Sequence, residues 1–378
     1  MVDFALTEER QMLQDTLRRY LADRYSTETL NGILQEDEGY SRAVWSELAE
    51  LGVIGALFGE AEGGFGGAGF DLAVVFEEFG RAGVVEPFLD TAVLAGGLIA
   101  DLGSDGQKAI VDEVIAGSVQ LAFAHGEPDS RYELSRVSAK AEMRGDALVL
   151  NGRKAVVGNG GNAQTLVVSA RSGGDVADEA GISLFLVPAD TPGLSRRAYP
   201  VMGGGTAAEI VLRDVEVPSN AALGAIGEAF PAIERRAAYA IAALCAEALG
   251  AMESAKDLTV DYLRTRKQFG RPLGKFQALQ HRMADMLVEI EQARSAVINA
   301  AGHLDRDRAN RERQVSAAKN LIGRVGRLVA EETIQMHGGI GMTQEYGLAH
   351  LAKRMVMVDH RFGDTDHHLE RFIALARG

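Results

Sequence analysis

The spacing of apolar residues changes twice along this chain, and that change restricts the fold more than any other feature. From about residue 6 to 115 the apolar positions recur at helical spacing. Thr7-Glu8-Glu9 opens a run with Met12, Leu13, Leu17 and Tyr20 on one face, and a second run over residues 41–51 carries Trp45, the single tryptophan. A glycine-rich break from Glu62 to Gly69 precedes further helical spacing over 70–80 and 91–102. Near Ser118 the segments become short and β-prone: 119–124, 138–142, 147–151, 165–170, 182–187 and 208–212, with turn signals such as Asn151-Gly152 and Asn159-Gly160-Gly161 between them. Helical spacing returns over 230–254, 257–265, 276–304, 311–336 and 367–376. This order predicts an α+β chain with an N-terminal helical domain (1–116), a middle β domain (117–225) that is a barrel or a sandwich, and a C-terminal helical bundle (226–378).

A chain of 378 residues, 47% apolar, can bury a large core. Its net charge of −14 repels nucleic acid and anionic membranes. Cys245, the only cysteine, leaves no internal disulfide and reads as a small core residue in an Ala-rich run. No apolar run approaches the roughly 20 residues that span a bilayer. The charged stretch 1–9 predicts no secretory leader, so the expectation is a cytoplasmic protein.

Three segments concentrate residues able to do chemistry. Arg264 to Gln277 (RTRKQFGRPLGKFQ) joins two helices through a basic loop with Gly and Pro. Guanidinium and backbone N–H groups suit a pyrophosphate, whereas an ordinary interhelical loop with a solvated basic face is the plainer alternative. Gln335 to Thr343 (QMHGGIGMT) follows a helix with glycines that let a phosphate or another backbone come close, or that merely end the helix. Phe362 to Leu369 (FGDTDHHL) reads as a loop capping the last helix; His367 and His368 beside Asp366 lack the further ligands of a metal site.

Taken together these segments resemble the acyl-CoA dehydrogenase family. The resemblance rests on RKQFG..L..FQ at 266–277, QMHGGIG at 335–341 and EGG.GG at 62–67, in that family's order and spacing. AFAH.E..SRY, IAALCAEA.GAME, TVDYL.TRKQFG and FGD.DHHL are similar to the small subunits of pimeloyl-CoA dehydrogenases and like heteromeric bacterial members. The resemblance implies a three-domain fold, with a β-barrel in the middle and a four-helix bundle at the C-terminal end, and FAD-dependent α,β-dehydrogenation of an acyl-CoA. A carboxylate removes the α-proton, FAD accepts the hydride from the β-carbon, and electrons leave through an electron-transfer flavoprotein. It also implies that Arg266, Phe269, Gln335, Gly338 and Gly339 meet the ADP part of FAD across a subunit interface. By the same carry-over Gln277 lies near the adenosine end and Thr365 near the pyrophosphate. The stretches 122–128 and 156–159, with Val157 and Gly158, would flank the isoalloxazine ring.

The chain departs from the family pattern in two places. Val156 and Gly158 stand where a Trp and a Thr are usual, and TEPG.GSD is altered to HGEPDSRYE. The position of the base in the loop before the last helix is Gly363, and its alternative on the long first helix of the C-terminal domain is Ala240. The remaining candidates are Asp364, one residue from the usual place, and Glu247, about 10 Å further along the Ala240 stripe. Keeping the ADP-facing motifs while losing base and ring residues fits one half of an α2β2 heterotetramer with a homologous second subunit. A homotetramer, a subunit without its own base, and a flavin-dependent monooxygenase on the same fold remain alternatives. The acyl group is open between a dicarboxylic one, with Arg131 and Arg136 as candidate partners, and a bulky ring-bearing one.

Overall fold

The computed structural model describes residues 6–145 and 147–377, so part of the charged N-terminal stretch lies outside them. The elements fall into two compact units, each drawn from separate stretches of chain: residues 1–35, 68–84 and 241–378 form one, and residues 36–67 and 85–240 the other.

The second unit is built on an eight-stranded sheet: β1 (Leu121–Ala124), β2 (Lys140–Arg144), β3 (Ala147–Gly158), β4 (Thr165–Arg171), β5 (Ile182–Pro188), β6 (Leu194–Pro200), β7 (Thr206–Pro218) and β8 (Ala222–Leu223). The order is β6-β7-β3-β2-β4-β5-β8, with β1 parallel to β4. One face gathers Leu148, Leu150, Leu166, Val168, Phe185, Ile210 and Val217 into a closed core, as the two-residue period of a strand requires. Three helices belong to the same unit: α3 (Arg42–Glu50), α5 (Gly97–Leu102), which continues a π-helical stretch over Leu89–Gly96, and α6 (Asp105–Ile115). Trp45 of α3 packs on Phe88 with ring centroids 4.7 Å apart and donates its indole N–H to the Gly117 carbonyl at 2.8 Å.

Two strands differ from expectation for physical reasons. Asn151-Gly152 is no turn, because β3 runs through it to Gly158 with a register shift at that point. A Cβ at Gly152 would lie 2.4 Å from the Ala139 Cβ, so the glycine marks a bulge at a close approach of strands. The strand β6 was not expected. It is an exposed edge strand carrying Arg196, Arg197 and Pro200, the residues that blunt an edge, and it has no apolar alternation to read.

The first unit is helical, with α1 (Glu8–Arg24), α2 (Thr27–Ile33), α4 (Gly69–Ala82), α8 (Gln277–Ala301), α9 (Arg308–His337), α10 (Leu348–Val358) and α11 (Thr365–Arg377). Thr7 caps α1 by accepting from the Arg10 N–H, and Arg18 of α1 forks onto the buried Glu78 of α4 at 2.6 and 3.1 Å. At the centre, α9 packs against α8, α10 and α11. The long helix α7 (Phe230–Thr265) is continuous over 36 residues, where the sequence reading has two helices. Nothing between Ser254 and Asp257 breaks a helix, and Lys256 pairs with Glu253 one turn earlier at 2.5 Å. No helix among the described residues is long and apolar enough to cross a membrane.

Candidate active site

In the first unit the chain leaves α7 through a two-stranded hairpin, β9 (Lys267–Gln268) and β10 (Arg271–Pro272). The Leu273 N–H closes it onto the Arg266 carbonyl at 2.8 Å. Phe269 at its tip has φ +52° and is 91% exposed. A bulky residue in the left-handed region and almost wholly in solvent is doubly unfavourable in an isolated chain, which marks the tip as a surface shaped for something else. Arg266 is exposed beside it, and Arg271 lies over the Phe276 ring at 4.1 Å. Gln277 begins α8 at the exposed foot of the hairpin.

The glycine turn after α9 is tied to the last turn of α7, the helix from which this hairpin leaves. His337 stacks on Tyr262 of α7 with centroids 4.5 Å apart, its Nδ1 faces the Thr333 carbonyl at 2.8 Å, and its Nε2 faces the Tyr346 hydroxyl at 3.2 Å. Burial lowers the His337 pKa, which keeps the ring neutral. This stack unites two segments that are far apart in sequence. Gln335, Gly338 and Gly339 are exposed, and a Cβ at either glycine would meet nothing within 4 Å. That open backbone can receive a flat polyanionic group, as can the exposed guanidinium and ring of the hairpin.

Thr365 belongs to a different place. Its hydroxyl donates to Asp359 Oδ1 at 2.9 Å, and its carbonyl accepts from Asn320 Nδ2 at 2.9 Å. Asn320 lies fifteen residues before Gln335 on α9, roughly 22 Å along the axis at 1.5 Å per residue. Within one chain, therefore, Thr365 and the glycine turn do not form one compact cradle. Asp364 Oδ1 accepts from the His367 N–H at 2.9 Å and caps α11. Gly363 has φ +113°, and a Cβ there would lie 2.6 Å from both His367 Cδ2 and His368 Nε2. Neither ring nitrogen of His368 is idle, since Nε2 is 2.9 Å from the Phe362 carbonyl and Nδ1 is 3.3 Å from Ser316 Oγ. Burial, followed by the charge of Lys319, pushes the His368 pKa down to about 3. No cluster suited to a metal ion occurs among the described residues. Glu247 is buried in α7 and ion-paired with Arg354 of α10. Ala240 is fully buried.

In the second unit, Val157 points into the sheet core, 2% exposed. Val156 is 66% exposed with φ +53°, a rare conformation for a β-branched residue, at a second register shift of β3 against β7. Gly158 faces Asp90, a residue the sequence reading missed. A Cβ at 158 would lie 2.2 Å from Asp90 Oδ1, so this carboxylate fills the space a side chain there would take. The missing side chain at 158 was visible in the sequence, but which distant residue replaced it was not. The stretch 122–128 holds a buried polar cluster. Lys154 Nζ donates to Glu127 Oε1 at 2.7 Å, Ser169 Oγ at 3.0 Å and the His125 carbonyl at 3.2 Å, and His125 Nδ1 is 2.9 Å from Ser169 Oγ. Arg131 has φ +50° and lies over the Tyr132 ring.

A cavity of about 450 Å³ lies elsewhere in the first unit, among Arg18, Tyr25, Arg81, Asp257 and His350; none of the expected site residues lines it.

Models of the acyl-CoA dehydrogenase N-terminal, middle and C-terminal domains match residues 7–117, 122–215 and 228–374. The probable acyl-CoA dehydrogenase YngJ of Bacillus subtilis is 29% identical over 98% of this chain and 98% of its own. The caffeyl-CoA reductase-Etf complex subunit CarC of Acetobacterium woodii is 28% identical over 90% of each chain. The solved structure of a variant of the Tcur3481-Tcur3483 steroid ACAD is 32% identical, with a TM-score of 0.88 over 98% of each chain. These matches run almost end to end, and the chain belongs to the acyl-CoA dehydrogenase family, a family of FAD-dependent oxidoreductases.

Proposed function

We propose that this chain is one subunit of a heteromeric acyl-CoA dehydrogenase, and that it completes the FAD site of a homologous companion without supplying the base. One observation carries the reading: neither family position for the base is ionisable. Gly363 leaves no room for a Cβ, and Ala240 is buried. The two neighbouring carboxylates already have structural duties, Asp364 as a helix cap and Glu247 as the partner of a buried arginine. Removing an α-proton needs a carboxylate within hydrogen-bond reach of it, and the proposal assigns that carboxylate to the companion.

The ADP part of FAD suits the hairpin and glycine turn. Exposed Arg266 would pair with phosphate, Phe269 would offer a ring face, and Gln277, Gln335, Gly338 and Gly339 would supply amide groups and open backbone. Thr365 would meet the pyrophosphate of a site other than the one served by its own glycine turn, which the separation along α9 favours. FAD, when bound, supplies the acceptor for the hydride leaving the β-carbon. The wall at Val157 and Gly158 suits a ring less well, because Asp90 fills the space beside Gly158 and no hydroxyl donor remains there. The product would be a 2-enoyl-CoA, with an electron-transfer flavoprotein as the acceptor of the electrons. The naming of one relative for a paired assembly and of another for a complex with Etf supports both partners.

The test is co-expression with a family member carrying glutamate in the loop. The expected product is a mixed tetramer with fewer FAD than protomers, and acyl-CoA-dependent bleaching of the flavin band that the chain alone does not give. A homotetramer of this chain with one FAD per protomer and acyl-CoA turnover would overturn the proposal. Rapid oxygen consumption by the reduced complex would favour the monooxygenase alternative. In the mixed complex, Phe269→Ala is expected to weaken FAD retention by about fivefold to 150-fold, in line with the roughly 1–3 kcal/mol of one aromatic stacking contact. The melting temperature of the isolated chain should stay constant, because the ring is 91% exposed and leans only on Phe276.

A further inference from the structure

One face of α9 carries Ser316, Lys319, Asn320 and Gly323, spaced i, i+3, i+4 and i+7, and all of them address the segment from Asp359 to His368. Ser316 Oγ meets His368 Nδ1 at 3.3 Å, and Asn320 Nδ2 donates to the Thr365 carbonyl at 2.9 Å. Gly323 leaves room for Asp359 and Thr365, which hydrogen-bond to each other; a Cβ on it would sit 2.1 Å from Asp359 Oδ1. Between these contacts stands Lys319, fully buried, whose Nζ donates to the Gly363 carbonyl at 2.5 Å and reaches the Asp359 carbonyl at 3.5 Å.

A buried ammonium is tolerated only where hydrogen bonds offset its desolvation. Here the acceptors are carbonyls of the loop itself, so lysine and loop conformation depend on one another. The loop needs such support. Phe362 and Gly363 are consecutive residues with positive φ, at +56° and +113°, a conformation that persists only when its surroundings over-determine it.

The geometry points to Lys319 as the positioning residue of this loop: it holds Phe362 to Thr365 in a shape made by backbone alone, which closes position 363 to any side chain and sets Thr365 at the cofactor. The second half of this statement rests on the function proposed above; the first does not. Lys319 is fully buried and acts through the loop carbonyls that it holds. Charged and titratable neighbours from the elements around it are Cys245 on α7, His368 on α11, and Asp359, Arg361 and Asp364 in the loop region. One consequence is that Gly363→Glu does not restore a base, because its Cβ meets His367 and His368 before the carboxylate is placed.

The experiment is hydrogen exchange, read segment by segment on the mixed complex, with Lys319→Met chosen because methionine keeps the volume and removes the donor. Amide exchange over residues 359–368 is expected to speed up about tenfold or more while the rest of α9 keeps its protection. FAD retention, followed at the flavin absorbance band, should fall with it. Gly363→Ala should loosen the same segment, and the double variant should be no worse than the poorer single one, as expected when two changes act through one element. Should Lys319→Met not fold, Asn320→Ala, which removes one loop hydrogen bond without emptying the core, replaces it in the same measurements. Loop exchange at the wild-type rate in these variants, or a uniform rise over the whole bundle, overturns the assignment. A loosened loop with unchanged FAD retention overturns only the role of Thr365. If the wild-type complex holds no FAD at all, the proposed function falls and the exchange result still stands.

Discussion

Glu127→Ala is expected to destabilise the protein by roughly 3–5 kcal/mol, the range for removing one partner of a buried ion pair. Lys154 is fully buried, and among the described residues Glu127 provides its only carboxylate contact; the other acceptors are a hydroxyl and a backbone carbonyl. Glu127 is also held by the N–H groups of Ser138 and Ala139 at 2.8 and 3.0 Å, so its loss frees the loop before β2 as well. Chemical denaturation of the variant checks the magnitude. The double change Lys154→Met with Glu127→Leu serves as control, and it should cost far less because no charge is left buried. The pair also gives a pH dependence whose sign can be worked out. Burial outweighs Glu127 and brings the Lys154 pKa down to about 8, from an ordinary value of 10.5. Between these two values the unfolded chain binds more protons than the folded one, so the contribution of this lysine to stability rises with pH there and is flat below. Glu127 also has its pKa lowered, for a different reason. Lys154 and the two backbone N–H groups outweigh its burial and hold its pKa below 4.5, so its contribution is present above that value and lost as pH falls through the folded pKa. Both values move down, but complete burial disfavours the charged form of Lys154, whereas the donors around Glu127 favour its charged form. A stability profile that falls between pH 8 and 10 in the wild type, and does so equally in the double variant, would contradict the role given to Lys154.

Gly250→Ala is expected to lower stability by about 2–3 kcal/mol even though alanine is the better helix former by roughly 1 kcal/mol. The helices α4 and α7 touch backbone to backbone. A Cβ at Gly250 would stand 1.9 Å from the Glu77 carbonyl oxygen and 2.9 Å from the Arg81 nitrogen, and one at Gly80 would stand 1.8 Å from the Glu247 carbonyl oxygen. No side-chain rotation relieves a clash with a main-chain oxygen. The helices must separate by about 1 Å to reach even a 3.0 Å contact, and the overpacking penalty then outweighs the gain in propensity. Separation also stretches the ion contacts around the crossing, where Glu253 accepts from Arg294 at 2.5 Å and Arg81 lies 3.6 Å from Glu253. The check is the denaturation midpoint of Gly250→Ala and Gly80→Ala against wild type. Values equal to wild type would mean that the two helices are free to move apart.

What the sequence settled by itself was the class of each region and the chemistry of its punctuation. Helical and strand periods follow from which face must be apolar, and that is local information. The order of helices, strands and helices was therefore legible, as were the basic hairpin, the glycine turn and the absence of a carboxylate at positions 240 and 363. The reading stumbled where the deciding partner is far away in the chain. Asn151-Gly152 has turn composition, yet Gly152 is an extended strand position required by Ala139; β6 has strand pairing without strand composition; α7 runs unbroken through the place where burial on every side gives way to one buried stripe at Ala255, Thr259 and Leu263. The site shows the same split. Sequence placed Asp364 and Glu247 beside the vacated base positions, and only the tertiary contacts gave them a helix end and Arg354 as partners. Sequence showed that position 158 lacks a side chain, and only packing put Asp90 there. Local preference depends on one residue and its near neighbours. Burial, pairing and the occupation of space depend on what the fold brings alongside, and for Lys319, Lys154 and Gly250 those distant neighbours determine what the residue does.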